Sequence, residues 1–396
     1  MQSHQQRHLR AGSESGTILL MLRSIIGVPK EIKAQENRVA LTPSAAWQLV
    51  KNGHTVLVER EAGAGSGYST EEYATAGCRI LETAEEIFDQ ADILIKVKEP
   101  QPAEIPRLRP GQILFTYLHL AANLELTESL TATGCTAIAY ETIEVNHRLP
   151  LLEPMSEIAG CMSVMVGAYH LGRHHGGRGI LLGGVPGVLP GKVVVIGGGT
   201  AGVNAARVAT GIGADVTILE VDLERMRFLD ITMHTAHTLY SSEAGLMELL
   251  PHVDLVIGAV LVPGARAPKL ITREMLKLMP AGSVLVDIAV DQGGCAETTR
   301  PTTHSQPTFV EEGVIHYCVA NMPGAYARTA TQALNNVTHR YLHLLAERGL
   351  VEACRLKPEL LGGINCHGGL LTCQPVADAH GLPWTAVGDL PGFLPS

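Results

Sequence analysis

One stretch constrains the fold more than any other. Val193-Val-Val-Ile-Gly-Gly-Gly-Thr-Ala-Gly202 passes from a continuous apolar run, through a GxGxxG spacing, into a helical pattern. An apolar run without alternation reads as a strand buried on both faces, as in parallel sheets covered by helices. Gly197 permits the tight turn, Gly199 lets backbone approach a pyrophosphate, and Gly202 allows close packing of helix on strand. The helix start at Thr200 and Ala201 offers unpaired N–H groups and a positive dipole end to phosphates. The next apolar run, 215–219, ends in Glu220, close to the roughly 20-residue offset of a ribose-binding carboxylate. Such a carboxylate accepts from a 2′-hydroxyl and repels a 2′-phosphate, which favours NAD over NADP. Arg225 tempers this, since a nearby arginine can hold a 2′-phosphate.

The chain has 396 residues, enough for two or three domains at about 150 residues each. With 46% apolar and 17% charged residues it can bury sizeable cores, which excludes intrinsic disorder. A formal charge of −9 and no dense Lys/Arg cluster argue against nucleic-acid binding. No uninterrupted apolar run reaches about 18 residues, so no membrane span is expected. The eight cysteines include no CxxC pair and read as buried, reduced residues of a cytoplasmic protein. Cys366 and Cys373 have only His367 nearby, too few ligands for zinc. Residues 1–20 read as a flexible extension without a cleavage site, and Met21 is a candidate start.

Apolar strand-like runs at 25–28, 55–58, 93–97, 113–116 and 136–139 alternate with helical patterns at 43–51, 70–76, 83–90 and 123–133. A second alternating set has strands at 193–196, 215–219, 255–258, 283–287 and 315–319. Alternation of this kind means crossovers and parallel sheets. A long helix over 153–175, with Ile158, Met162, Met165 and Tyr169 on one face, and another over 325–348 bracket the second set. The expected fold is therefore α/β, with two Rossmann-like parallel-sheet domains joined by two long helices. The expected boundaries are 21–150 plus 328–396 for a substrate domain and 151–327 for an NAD-binding domain.

Four polar residues sit where a pocket would want them. Lys98, His119 and Asp291 follow strands at their carboxyl ends, where open parallel sheets bind ligands, and Arg38 follows a strand and a short loop. A dehydrogenase of amino or hydroxy acids needs a cation for the carboxylate and a proton acceptor. Arg and Lys suit the first task, and His suits the second near neutral pH. Each also has a plain structural reading: solvated charges for Arg38 and Lys98, a satisfied strand-end residue for His119, a cap or turn former for Asp291. Spacing alone thus reaches an NAD-dependent oxidoreductase with its substrate open. His170 and His174, four residues apart with His175 adjacent, could pair on a metal, but Arg173, His174 and His175 fall in the last turn of the 153–175 helix, where cations complement its dipole. His234 and His237 lack a carboxylate partner. Both groups are taken as structural, and no metal site is expected.

Longer motifs narrow this. Gly27-Val-Pro-Lys-Glu-Ile-Lys, Lys96-Val-Lys98-Glu-Pro100, Glu153-Pro-Met-Ser156-Glu and Ile196-Gly-Gly-Gly-Thr-Ala-Gly202 resemble the alanine dehydrogenase family. So do Ile257-Gly-Ala-Val-Leu-Val-Pro-Gly264, Val286-Asp-Ile-Ala-Val-Asp291-Gln-Gly-Gly-Cys295 and Val319-Ala-Asn321-Met-Pro-Gly324. The resemblance runs from about residue 25 to 390. Some of these motifs are shared with the NAD-binding subunit of proton-translocating transhydrogenase.

The resemblance implies reversible oxidative deamination of L-alanine to pyruvate and ammonium with NAD. It places substrate contacts on Arg38, Lys98 and Asn321 and proton transfer on His119 and Asp291. It adds cofactor contacts at Ser156, Thr200, Ala201, Glu220, Arg225, Ser241, Val260, Leu261, Ile288, Ala289, Val290 and Asp291. Arg300, Val319, Ala320, Asn321 and Met322 complete that set. It further implies a homohexamer. Glu220 departs from the family, which more often has Asp there, and the extension at 1–20 has no counterpart. The alternatives are a transhydrogenase NAD subunit, which would need a membrane partner and no amino-acid pocket, and an NAD sensor without catalysis.

Overall fold

The computed structural model describes residues 22–260, 267–390 and Phe393. The strands run in chain order as β1 (Ile25–Val28), β2 (Thr55–Glu59), β3 (Arg79–Leu81), β4 (Ile93–Ile95), β5 (Ile113–Thr116) and β6 (Thr136–Ala139). Then come β7 (Lys192–Ile196), β8 (Asp215–Glu220), β9 (Ala236–Tyr240), β10 (Leu255–Gly258) and β11 (Val284–Asp287). The last are β12 (Thr308–Glu311), β13 (Val314–Tyr317), β14 (Ile364–His367) and β15 (Leu370–Leu371). The chain divides into two compact units, Met1–Leu151 with Thr331–Ser396, and Leu152–Ala330.

The unalternated apolar runs become central strands for the expected reason. On β7, Val193 and Val195 face a core shared with Ala205, Ala209, Leu255 and Ile257. Val194 and Ile196 face the opposite core, with Leu246, Leu250, Val256 and Leu285. Successive side chains point to opposite sheet faces, so a strand covered on both sides must be apolar throughout.

The first unit holds an eight-stranded sheet ordered β15-β14-β6-β5-β4-β1-β2-β3, and the second a seven-stranded sheet ordered β12-β13-β11-β10-β7-β8-β9. Read from the opposite edge, each begins 3-2-1-4-5, counting from its own first strand. The strand order therefore reverses between β1 and β4 in one unit and between β7 and β10 in the other. A crevice opens at such a switch point, outside the carboxyl ends of the strands.

The sheets are mixed at one edge: β14 runs antiparallel to β6 and β15, and β12 antiparallel to β13. The sequence reading missed β3, β9, β12, β14 and β15. β3 has three residues, and β9 (Ala-His-Thr-Leu-Tyr) and β12 (Thr-Phe-Val-Glu) carry polar residues suited to sheet edges.

The helix expected over 153–175 is Glu153–His170. Gly172 is extended (φ −61°, ψ 137°), and Arg173–His175 forms a separate 3₁₀ turn, so these cations do not lie in the helix's last turn. Its face was also misjudged: Met165 and Tyr169 are exposed, while Met155, Ala159 and Met162 are buried. Small residues decide the packing. A Cβ on Gly160 would lie 2.2 Å from the Ala201 carbonyl oxygen, and one on Gly167 would lie 2.6 Å from Leu255. Glycine carries no hydrophobic signal, so periodicity pointed elsewhere. The second long helix extends to Ala327–Leu356, interrupted by Gly349 at φ 73°. Among the described residues no helix is long and apolar enough to cross a membrane.

Candidate active site

In the second unit, β7 is followed by Gly197, whose φ of +100° belongs to glycine. A Cβ on Gly202 would sit 1.8 Å from the Gly197 carbonyl oxygen, whereas a Cβ on Gly199 would meet nothing within 4 Å. The turn is therefore closed against its own strand and open at Gly199. The helix Thr200–Gly211 starts there with Gly199 as N-cap and no side-chain capping bond. Its first N–H groups suit an anion, and the glycine cradle fits a dinucleotide's pyrophosphate.

Glu220 ends β8. Its Oε2 accepts from Gly198 N–H at 2.8 Å, and its Oε1 from Val221 N–H at 2.7 Å and Asp222 N–H at 3.1 Å. Arg225, expected as a possible 2′-phosphate ligand, donates through Nε to the Gly198 carbonyl at 2.7 Å and lies over the Phe228 ring. Both residues thus grip the middle glycine of the turn. Ser241 N–H donates to the Glu220 carbonyl, and the Gly197 turn lies against Ala259 and the Val260 backbone at the end of β10. Leu261 lies outside the described residues. Ser156 sits one turn before Gly160, the residue that touches Ala201.

Beyond β11, Ile288–Gln292 is a 3₁₀ turn carrying Ala289, Val290 and the exposed Asp291. Asp291 Oδ2 accepts from Asn321 N–H at 3.4 Å, and Asn321 itself is left-handed (φ 62°), opening the turn Met322–Tyr326. The structure thus brings Asp291 and Asn321 together, with Val319 and Ala320 leading in from β13. Arg300 lies over the Phe309 ring instead, toward the sheet edge. A residue missed from sequence organises this loop. Buried Asp287 accepts from Ala289 N–H, Cys295 N–H and Thr299 Oγ1 at 3.0, 2.8 and 2.6 Å. Its signal was a lone carboxylate ending an apolar strand.

In the first unit, Arg38 follows β1, Lys98 follows β4 and His119 follows β5, all on the carboxyl side of the switch point. Arg38 is only 2% exposed and bonds Glu36 through Nε and Nη2, both at 2.6 Å. Burial opposes the guanidinium's charge, but the Glu36 carboxylate outweighs it and raises its pKa further. Lys98 is buried on a segment fixed by a charged cluster. Glu31 Oε1 accepts from Val97 N–H at 2.6 Å, while Lys96 Nζ bonds Glu31 at 3.0 Å and Glu104 at 2.8 Å. Thr116 Oγ1 donates to the Lys98 carbonyl at 2.9 Å.

His119 is left-handed (φ 51°) with its side chain 43% exposed. Its N–H donates to Glu141 Oε1 at 2.6 Å, and its ring stacks on Tyr117 at 5.9 Å with 10° between planes. Tyr117 is buried and donates to the Leu151 carbonyl at 2.6 Å. Burial raises its phenol pKa well above the ordinary value, so it remains a donor. The sequence reading missed Glu31, Glu36, Lys96, Glu104, Tyr117 and Glu141. Glu31, Glu36, Lys96, Glu104 and Tyr117 are buried charges or a buried hydroxyl and Glu141 is half-buried, a property invisible before folding. Of the histidines read as structural, His237 does approach a carboxylate, Asp215, at 4.0 Å on the exposed edge.

Two sheets of one topology, one of them ending in a phosphate-type glycine turn, define a two-unit nucleotide-dependent dehydrogenase fold. The family domain described as "Alanine dehydrogenase/PNT, N-terminal domain" matches residues 27–159, and "Alanine dehydrogenase/PNT, C-terminal domain" matches 163–374. The chain belongs to the alanine dehydrogenase/PNT family. It is 54% identical over 372 residues to an alanine dehydrogenase of Geobacillus stearothermophilus, covering 92% of this chain and 99% of that one. It is 53% identical over 369 residues to that of Halomonas elongata, covering 93% and 100%. Among solved structures, an L-alanine dehydrogenase superposes with a TM-score of 0.86 at 49% identity, over 90% of this chain and 99% of that one. A transhydrogenase from Sinorhizobium meliloti reaches 0.75 at 28% identity, over 88% and 99%.

Proposed function

We propose that this protein is an NAD-dependent L-alanine dehydrogenase, interconverting L-alanine with pyruvate and ammonium. The observation that carries this reading is about 50% identity to alanine dehydrogenases across nearly their whole length, against 28% to the transhydrogenase. The carboxylate-binding chemistry of Arg38 and Lys98 supports it. NAD, when bound, supplies the hydride acceptor. The Gly197–Gly202 turn and the Thr200 helix start hold its pyrophosphate. Glu220 accepts from a ribose hydroxyl and disfavours a 2′-phosphate.

Arg38, held by Glu36, supplies the guanidinium for the substrate carboxylate, and Lys98 adds the second cation. Water adds to the iminium left once the substrate has lost hydride, and His119, oriented by Glu141 and Tyr117, takes the hydroxyl proton as the N-protonated carbinolamine expels ammonia and becomes pyruvate. Asp291 is the second candidate for that proton, and Asn321 presents its amide beside it. We further propose a cytoplasmic homohexamer. NADH formation at 340 nm with L-alanine tests the reading. Absence of turnover with any L-amino acid would leave the sensor or transhydrogenase-subunit alternatives.

A further inference from the structure

One carboxylate beside the proposed substrate cations has an oxygen that nothing in the described chain satisfies. Glu99 follows Lys98 directly. One of its oxygens is ion-paired with Lys33, and Oε2 is buried with no hydrogen-bond partner among the described residues. Burial favours the neutral acid, but the Lys33 bond and the fields of Lys98, Lys33 and His119 outweigh it and hold the pKa below the ordinary value. Glu99 is therefore an anion with one desolvated, unused acceptor, an arrangement that is costly unless a ligand donates to it.

The proposed reaction supplies such a donor. Alanine carries a carboxylate and an ammonium on one carbon, so its site needs opposite charges side by side. Arg38 and Lys98 meet the carboxylate, and both repel an ammonium. In the same unit, Glu31 and Glu104 are already bound to Lys96, and Glu36 is bound to Arg38. Glu141 accepts the Leu118 and His119 N–H groups. That leaves Glu99 Oε2. We propose that Glu99 receives the nitrogen of the substrate, alanine's ammonium in deamination and free ammonium in amination, and so selects for the amine. This deepens the alanine dehydrogenase reading and rests on it.

The role separates from those of its neighbours because pyruvate and NADH carry no ammonium. Reductive amination is measured for the wild type, Glu99→Gln and Glu99→Asp. Ammonium is varied at saturating pyruvate, then pyruvate at saturating ammonium. Loss of a charged acceptor predicts a rise in ammonium KM of roughly ten- to a hundredfold in Glu99→Gln. Pyruvate KM should stay within about twofold. Glu99→Asp, which keeps the charge on a shorter arm, should fall between and carries the test if the Gln variant does not fold. An active variant with unchanged ammonium KM overturns the proposal while leaving the alanine dehydrogenase reading intact. An equal rise in pyruvate KM also overturns it, since Glu99 would then act through Lys98. A wild type without turnover overturns both.

Discussion

The two switch points of this chain serve different ends with the same topology. At the end of β7, recognition rests on backbone: a left-handed glycine, a second glycine against a carbonyl and a third facing open space. At the ends of β1, β4 and β5, it rests on long side chains held by other side chains. Arg38 leans on Glu36, the Lys98 backbone on Glu31, and His119 on Glu141 and Tyr117. A backbone cradle is encoded within ten consecutive residues. A side-chain site draws on elements up to a hundred residues apart, and most of its supporting charges are buried. The first reads well from local sequence, and the second tolerates little perturbation of its supports.

Perturbing the side-chain site should give the largest effects. His119→Gln should lower kcat for alanine oxidation by roughly 10²–10⁴-fold while NADH affinity, measured by fluorescence titration, barely changes. A variant with near wild-type kcat would make His119 structural and Asp291 the better candidate. Glu36→Gln removes a carboxylate partner from a buried guanidinium, an imbalance worth on the order of 3 kcal/mol. Chemical denaturation should register that loss, and pyruvate KM should rise with it. If neither moves, Arg38 is not held as described.

The backbone cradle should respond more mildly to side-chain change. Glu220→Ser should narrow the preference for NAD over NADP by roughly tenfold in kcat/KM, because a carboxylate no longer opposes a 2′-phosphate. NAD affinity should drop somewhat as well, since the Gly198 N–H loses its acceptor. An unchanged cofactor ratio would mean Glu220 serves only the turn.

The smallest effect is global. His54, His316, His343 and His367 all have pKa values lowered by burial from 6.5. His316 is fully buried, with Thr298 on Nε2 and the Val314 carbonyl on Nδ1, a pairing that suits the neutral ring. Below about 6.5 the unfolded chain binds protons that the native state refuses, so stability falls as pH drops through that window. Tm should decline steadily from pH 7 to pH 5, and His316→Gln should flatten the slope. A flat wild-type profile would contradict neutral buried histidines.

Much of the fold was legible in the sequence. The apolar runs of β1, β5, β6 and β10 coincide with the expected strands, because a strand buried on both faces must be predominantly apolar. The short or polar edge strands β3, β9 and β12 were not legible, because their pairing comes from a neighbouring strand and not from their own pattern. The helix after residue 153 was placed but overextended and given the wrong face, since Gly160 and Gly167 pack through absence of side chain.

The strand–glycine–helix turn, the acidic residue ending β8 and the places of Arg38, Lys98, His119 and Asp291 near strand ends were all set by local chain order. These depend on spacing along the chain, where backbone geometry is set by neighbours a few residues away. Tertiary structure alone decided which buried charges support them. Glu31 meets Lys96 across 65 positions, and Glu141 meets His119 across 22. It also left Glu99 with an unspent oxygen. Coulombic and hydrogen-bond partners act through space, and in a desolvated interior their choice is settled only when the chain has closed around them.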